Sequence, residues 1–141
     1  MFIQDTTASQ DDYIKASVAC CKDVCIALQA SGELDKDKGL QMAVVAFRDH
    51  GDEYVTKDFG GFTYDVNTIQ SNLSGLEPDG GGDLPEAVAT ALDKTLKLEW
   101  RDDAAKLAIL ITDASPHGIG EGGDDHYDGE PEPDGMLQLS V

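Results

Sequence analysis

The fold of this protein is decided by its first residues, Phe2-Ile3-Gln4-Asp5-Thr6-Thr7-Ala8-Ser9. The apolar start is typical of a short strand, and the polar residues from Asp5 onwards end it. Apolar residues then recur at alternating spacings of four and three, which is one face of an amphipathic helix, at Ile14, Val18, Cys21, Cys25 and Leu28. A strand, a loop and a helix in this order predict the start of an α/β domain.

Two further apolar runs predict the other strands of a sheet. Residues 42–47 and 107–112 are continuous apolar segments of strand length, which suit strands covered on both faces, as in a parallel sheet. Residues 53–59 alternate loosely and predict an edge strand that forms a hairpin with the strand before it. One helix capped by Asp65 and another with Pro85 in its first turn complete the pattern. This order predicts a doubly wound, Rossmann-like α/β fold with a mostly parallel sheet flanked by helices.

The length of 141 residues fits one domain. We expect a core over residues 1–117, an acidic Gly/Pro-rich loop over residues 118–135 and a short apolar tail over residues 136–141. The formal net charge of −18 repels phosphate backbones and anionic membranes, so neither nucleic acid nor a membrane is an expected partner. Scattered acids contribute solubility, whereas carboxylates that converge on one point favour a bound cation.

The cysteines and the amino terminus bear on the cellular location. Cys20, Cys21 and Cys25 are an odd, clustered set that makes no disulfide framework, and we expect them to be small buried hydrophobic residues. Such usage favours a reducing compartment. No apolar run is long enough to span a bilayer, and no signal segment precedes Phe2. A cytoplasmic location is therefore favoured, and the abrupt start indicates either a domain cut from a longer chain or a gene that starts there.

Carboxylates and hydroxyls are predicted to meet at one edge of the sheet. Ligands of open α/β sheets bind beyond the carboxyl ends of the strands, where Asp5 follows the first strand and Asp113 the last. Thr7 and Ser9 alternate after Asp5 and can direct their hydroxyls the same way, and a loop of three glycines delivers Asp83 to the same edge. An all-oxygen set suits Mg²⁺ first, with Mn²⁺ or Ca²⁺ as alternatives.

Each of these residues also has a purely local interpretation. Asp5 and Asp113 can cap loops, Ser9 can be a helix N-cap, and Asp83 can begin the next helix. Local capping alone does not require all of them to fall at one end of the sheet.

The acidic loop raises a separate possibility. His117 is close enough in sequence to Asp113 to line the first site. A second cation is possible in the loop, although its Gly and Pro content favours a solvated, flexible segment. The residues concerned are His117, Asp124, Asp125, His126, Asp128, Glu130 and Glu132.

Several of these motifs together resemble the von Willebrand factor A (VWA) family. Asp5-Thr6-Thr7-Ala8-Ser9 is similar to the D-x-[ST]-x-S pattern of the metal-ion-dependent adhesion site (MIDAS) of that family, and Leu110-Ile111-Thr112-Asp113 to its later strand ending in aspartate. Gly80-Gly81-Gly82-Asp83 resembles its glycine-led third loop. Ala46-Phe47-Arg48-Asp49 and Asp83-Leu84-Pro85-Glu86-Ala87 further resemble one branch of the family. The resemblance extends over nearly the whole chain up to Gly118.

The resemblance implies a binding module rather than an enzyme. In that family hydroxyls and the third loop contact a divalent cation, aspartates act largely through water, and an acidic group of a protein partner can complete the coordination. Carried over, Thr7, Ser9 and Asp83 are expected as direct ligands, with Asp5 and Asp113 in support.

Two departures from the family pattern modify this expectation. Asp83 stands where threonine is common, and a third carboxylate lowers the residual positive charge of the ion and its attraction for an acidic partner. Little sequence follows the strand at 107–112, so we expect that strand at an unprotected sheet edge, where a second copy of the chain could pair.

Two other functions remain open at this point. A magnesium-dependent phosphotransfer or phosphohydrolase enzyme also uses an aspartate after the first strand. Such an enzyme commonly has a second aspartate two positions on, where Thr7 stands, and a lysine after the last strand, whereas Lys106 precedes it. A structural or oligomerisation domain without a functional metal site is the third possibility.

Overall fold

The computed structural model describes residues 1–32, 34, 39–120, 122–132 and 135–137. Residues 33 and 35–38, the side chain of Glu132 and residues 138–141 of the expected tail lie outside the described residues. The elements are β1 Phe2–Asp5, α1 Asp11–Ser31, β2 Val44–Phe47, β3 Thr56–Asp58, α2 Val66–Ser74, α3 Val88–Leu96, β4 Ile109–Ile111, β5 Glu130–Glu132 and β6 Gly135–Leu137. A single 3₁₀ turn at Ala8–Gln10 joins β1 to α1.

Four strands form the main sheet, in the order β3-β2-β1-β4. β1 is parallel to both β2 and β4, with Ile3 opposite Val45 on one side and Leu110 on the other. β3 runs antiparallel to β2, as the alternation at residues 53–59 indicated. The chain is therefore a mixed α/β protein with a mostly parallel sheet, and this confirms the predicted fold class at that level.

Helices cover both faces of the central strands because successive side chains of a strand point to opposite faces. Phe2, Val44 and Ala46 pack with apolar side chains of α1 and α2. Ile3, Val45 and Phe47 pack on the other face with those of α3. This arrangement explains why the run at residues 42–47 is apolar throughout.

The edge position of β4 confirms one expectation and corrects another. β4 has β1 as its only neighbour among the strands described, so the expected open edge is present. An apolar run covered on both faces was predicted at 107–112, but Leu107 and Leu110 are exposed. The physical reason is the edge position of β4, since none of the described strands lies beyond it.

The ends of α1 and α2 follow their sequence signals. Asp11 and Asp12 lie in the first turn of α1, and Gly32 ends the helix in a left-handed conformation with φ of 74°. The Asp65 carboxylate accepts a hydrogen bond from the Asn67 backbone N–H and caps α2. Both helices were therefore placed correctly by local sequence rules.

The start of α3 was predicted wrongly. The helix begins at Val88, so Pro85 precedes it and does not lie in its first turn. The cause is a contact distant in sequence, because the Glu86 backbone N–H donates to Ser115 O at 2.9 Å and Glu86 forms a parallel bridge with Pro116. This bridge holds Glu86 beside the segment that follows β4, so the helix begins two residues later.

The acidic region at 118–135 contains structure that the sequence did not predict. β5 and β6 form a two-stranded antiparallel hairpin within the part expected to be loop and tail. Glu130 of β5 is fully buried, and its two carboxylate oxygens accept hydrogen bonds from the backbone N–H groups of Ala89 at 2.8 Å and Thr90 at 2.6 Å. A side chain 41 residues away thus caps the first turn of α3.

The cysteines are reduced, and only two of them are core residues. Cys21 and Cys25 are buried, as expected, whereas Cys20 is exposed. Burial raises the pKa of the Cys21 thiol to about 12, so this thiol stays protonated.

None of the described helices is both long and apolar enough to cross a membrane.

Candidate metal centre

Asp5 ends β1 and is fully buried at the carboxyl edge of the sheet. Its Oδ1 accepts hydrogen bonds from the backbone N–H of Thr7 at 2.9 Å and from the Thr7 hydroxyl at 2.7 Å. Its Oδ2 accepts a hydrogen bond from the Thr112 hydroxyl at 2.7 Å. All three donors are neutral, so they orient the carboxylate without cancelling its charge.

Asp113 follows β4 and is exposed at the same edge. Its Oδ1 accepts hydrogen bonds from the Ser9 hydroxyl at 3.0 Å and from Nε2 of Gln10 at 2.6 Å. The chain therefore brings together Asp5, Thr7, Ser9 and Asp113, which we call the strand-edge site. Within it each hydroxyl is paired with one aspartate.

The pairing has a consequence for metal binding. A hydroxyl has one proton and two lone pairs. Thr7 donates its proton to Asp5, and Ser9 donates its proton to Asp113 while accepting a long hydrogen bond from Gln10 at 3.5 Å, so each hydroxyl oxygen keeps a lone pair that is available to a cation. This is the division of roles that the MIDAS resemblance implies, with hydroxyls as ligands and aspartates behind them.

The glycine loop passes directly over Thr7. The Ala8 backbone N–H donates to Gly80 O at 3.3 Å, and the Asp79 N–H donates to Thr6 O at 3.0 Å. A Cβ at Gly81 would meet Thr7 Cβ at 3.4 Å and Glu86 Oε1 at 3.1 Å. Glycine is thus required for the close approach that brings the loop to the strand-edge site.

Glu86 is a carboxylate of this region that the sequence analysis assigned no role. It is 4% exposed, and its Oε2 has no hydrogen-bond partner among the described residues. Burial, followed by the nearby charges of Asp5 and Asp49, raises the pKa of Glu86 to about 8, against a smaller lowering by the hydrogen bond with Thr7. A buried carboxyl beside two others favours a proton or a metal cation there.

Asp83 and His117 belong to a neighbouring group. Asp83 Oδ2 accepts a hydrogen bond from the Asp125 backbone N–H at 2.7 Å. Three side chains each bring one possible metal-ligand atom to within 4.8 Å of the other two, namely Asp49, Asp83 and His117. The ring nitrogens of His117 contact Asp49 and Asp124. The structure therefore gives Glu86 a contact with Thr7, and it groups Asp83 and His117 with Asp49.

The acidic loop contributes to this second group. The Asp124 carboxylate, one of the groups proposed for a second cation, contacts the His117 ring and accepts a hydrogen bond from the His126 backbone N–H. The Asp125 backbone N–H donates to Asp83, and the Glu130 carboxylate caps α3.

Comparisons with known proteins add no relative. No protein-family model and no curated protein matches this chain. The assignment of function therefore depends on the arrangement of the side chains.

Contacts distant in sequence explain which site residues were missed. Thr112 precedes Asp113 in an apolar run that predicts a strand, and nothing in that pattern indicates that its hydroxyl contacts Asp5. Gln10 follows Ser9, and nothing local indicates that its amide reaches Asp113, 103 residues away. Asp49 and Glu86 lie in segments that resemble one branch of the VWA family. Asp49 follows β2 and Glu86 precedes α3, and this position was the sequence signal that could have identified them as site residues.

Replacing Gly80 by alanine is expected to destabilise the protein and to disturb the glycine loop. Gly80 has φ of 82°, and a Cβ there would overlap the Asp52 carboxylate, which accepts hydrogen bonds from the Gly81 and Asp49 backbone N–H groups. Left-handed backbone alone costs alanine about 1–2 kcal/mol. Gly61→Ala is the matched control, since Gly61 has φ of 79° and open space at its Cβ. Urea denaturation that shows equal losses for both variants would contradict the predicted overlap.

Proposed function

We propose that this chain is a non-enzymatic, VWA-like protein-binding domain that binds a divalent cation, Mg²⁺ first, at the strand-edge site and engages a protein partner there. The observation that carries the proposal is the pairing of Thr7 with Asp5 and of Ser9 with Asp113. A Rossmann-like, doubly wound arrangement of the VWA type agrees with a parallel core of strands that has helices on both faces.

The site combines a buried and an accessible half, which suits a cation shared with a partner. Asp5 and Thr7 are buried, whereas Ser9 and Asp113 are exposed. Buried carboxylates hold a hard cation by charge, and the exposed half leaves room for a ligand from outside. A partner carboxylate fits this position because it supplies the oxygen that Mg²⁺ prefers.

The surface beside Asp113 offers further contact area. An open groove there is lined by Leu84, Thr112, Asp113, Ala114 and Ser115. Leu84 is 74% exposed, so an apolar side chain stands next to the accessible half of the site. A partner that presents an acidic residue flanked by apolar ones would satisfy both features.

The enzymatic alternative gains no support from the position of its lysine. Lys106 precedes β4 and lines a groove with Leu92, Thr95 and Trp100, whereas Asp113 follows β4. A phosphotransfer site needs a cation of the protein near the aspartate, to offset the charge of a phosphoryl group. We therefore favour binding over catalysis.

Thermal melting with and without metal tests the proposal. We expect Mg²⁺ or Mn²⁺ at about 100 times the dissociation constant to stabilise the wild type by about 2.7 kcal/mol relative to chelator. Asp113→Ala should lose most of this gain, whereas Asp102→Ala, which removes an exposed acid outside the site, should keep it. A metal response that is equal in the two variants would place the cation elsewhere.

The partner is tested with the same variants. A protein captured by immobilised chain in Mg²⁺ should be released by chelator and should fail to bind Asp113→Ala. Capture that survives both changes would show an interface independent of the metal, and the open edge at β4 would be examined next.

A further inference from the structure

All three histidines of the chain meet in one place, although they lie at positions 50, 117 and 126. The ring centroid of His126 is 4.8 Å from that of His50 and 4.9 Å from that of His117, and His50 and His117 are 6.0 Å apart. We call these rings together with Asp49, Asp83 and Asp124 the histidine cluster. Its donors differ from those of the strand-edge site, which contains only oxygen donors.

His117 is oriented as metal-binding imidazoles commonly are. Its side chain is fully buried, and its Nδ1 lies 2.8 Å from Asp124 Oδ1. Its other nitrogen, Nε2, lies 2.7 Å from Asp49 Oδ1. A carboxylate on one ring nitrogen fixes the tautomer and directs the lone pair of the other nitrogen to a metal. Asp124 is itself held by the backbone N–H groups of Gly118 and His126, each at 2.8 Å.

Buried atoms without partners point independently to a cation. Among the described residues, Asp83 Oδ1 and His50 Nε2 are removed from solvent and have no hydrogen-bond partner. His50 Nε2 is 3.8 Å from the nearest carboxylate oxygen, that of Glu130, which is beyond hydrogen-bond distance. Glu86, 4% exposed, adds a further buried oxygen without a hydrogen-bond partner. It lies close enough to Asp49 for the two carboxylates to interact. Unsatisfied groups of this kind are rare in native structures unless an ion or water completes them.

The donor set selects the class of metal. Asp49, Asp83 and His117 offer one ligand atom each within 4.8 Å of one another, two of them oxygen and one imidazole nitrogen. Mg²⁺ and Ca²⁺ prefer oxygen alone, whereas imidazole suits Zn²⁺ and the neighbouring transition metals.

We propose that Asp49, Asp83 and His117 form a second metal site, which binds a divalent transition-metal ion such as Zn²⁺, with Asp124 as the positioning residue for His117. The three ligands come from the segments after β2, before α3 and after β4. A bound ion would therefore tie these three segments together, with the acidic loop attached through the contact of Asp124 with His117, and its role would be structural.

A simpler arrangement competes with this proposal. Burial alone would lower the pKa of His117, but hydrogen bonds to Asp124 and Asp49 raise it above its usual value. A protonated His117 between the two carboxylates could hold the loop without any metal. The two arrangements differ in whether the folded chain retains Zn²⁺.

The experiment is equilibrium dialysis of the folded chain against Zn²⁺, followed by metal analysis, with Mg²⁺ present to occupy the strand-edge site. A Cys20→Ser background removes the exposed thiol, which could bind Zn²⁺ by itself. We expect one Zn²⁺ per chain, lost in Asp83→Asn and His117→Gln and kept in Asp113→Ala. Asp124→Asn should weaken the affinity about tenfold to a hundredfold.

Each other outcome overturns the proposal. No retained Zn²⁺ supports the protonated histidine, and retention by both ligand variants places the ion elsewhere. Loss in Asp113→Ala with retention in Asp83→Asn assigns the ion to the strand-edge site. If His117→Gln does not fold, Asp83→Asn decides, together with the nitrogen NMR shifts of the imidazoles. Bound Zn²⁺ should shift the His117 Nε2 resonance in the wild type, and an unchanged resonance would count against ligation.

Discussion

Replacing Glu130 by alanine is expected to lower the free energy of unfolding by about 2–4 kcal/mol, since hydrogen bonds to charged groups contribute about 1.5–3 kcal/mol each. The carboxylate is fully buried and accepts the Ala89 and Thr90 backbone N–H groups on separate oxygens. Alanine removes the carboxylate that accepts from both N–H groups at the positive end of the α3 dipole.

Urea denaturation in chelator measures this loss. Glu130→Gln should lose less than Glu130→Ala because the amide keeps one acceptor oxygen. Glu99→Ala, an exposed glutamate just beyond α3, should change stability little. A loss in Glu130→Ala no larger than that in Glu99→Ala would mean that α3 does not depend on this cap.

Glu86→Gln is expected to stabilise the metal-free protein at neutral and higher pH while weakening its response to metal. Glu86 is buried and faces the charges of Asp5, Asp49 and Asp52. Glutamine removes one charge from this group and keeps the shape. The same change removes a carboxylate that attracts the cation, so the gain from Mg²⁺ or Mn²⁺ should fall.

The pH dependence of the stability of the metal-free protein follows from the direction in which the pKa of Glu86 is shifted. The pKa of Glu86 is raised from 4.5 to about 8 in the folded state, so folding takes up a proton between these values. The stabilising contribution of the protonated form is complete below pH 4.5 and is lost as the pH rises through about 8. We expect a decrease on the order of 2 kcal/mol over this window, smaller than the full shift implies because solvent and nearby donors moderate it.

Thermal melts in chelator across this window, for the wild type and Glu86→Gln, check the prediction. The wild type should lose stability relative to the variant as the pH rises. Glu77→Gln, an exposed carboxyl, is the matched control and should follow the wild type. Parallel curves for the wild type and Glu86→Gln would show that Glu86 is ionised at little cost in the folded chain.

Much of the fold could be predicted from local sequence because its signals are short in range. The alternation of Phe2 and Ile3 decides which face of β1 each residue occupies, and the spacing from Ile14 to Leu28 defines the buried face of α1. Gly32 ends α1 through its own left-handed backbone conformation, and Asp65 begins α2 through a hydrogen bond with a residue two positions away. Such rules need no knowledge of the rest of the chain.

The four residues of the strand-edge site could be predicted for a related reason. Thr7 and Ser9 are tied to Asp5 by their spacing along the chain, and Asp113 is brought beside them because parallel strands end at one edge of a sheet.

Only the tertiary structure decided the positions of Asp83, Glu86, His117 and Glu130. Each lies in a segment without periodicity, where the backbone direction depends on contacts with distant partners. The bridge between Glu86 and Pro116 delays the start of α3, and the Asp125 backbone N–H donates to Asp83. The acidic loop, which resembled a solvated segment by composition, folds back because Asp124 and Glu130 accept hydrogen bonds from backbone N–H groups 6 and 41 residues away. Composition and local spacing determined the sheet edge and the carboxylate and hydroxyl groups that meet there, whereas the pairing of loops distant in sequence is set by packing, which no local pattern encodes.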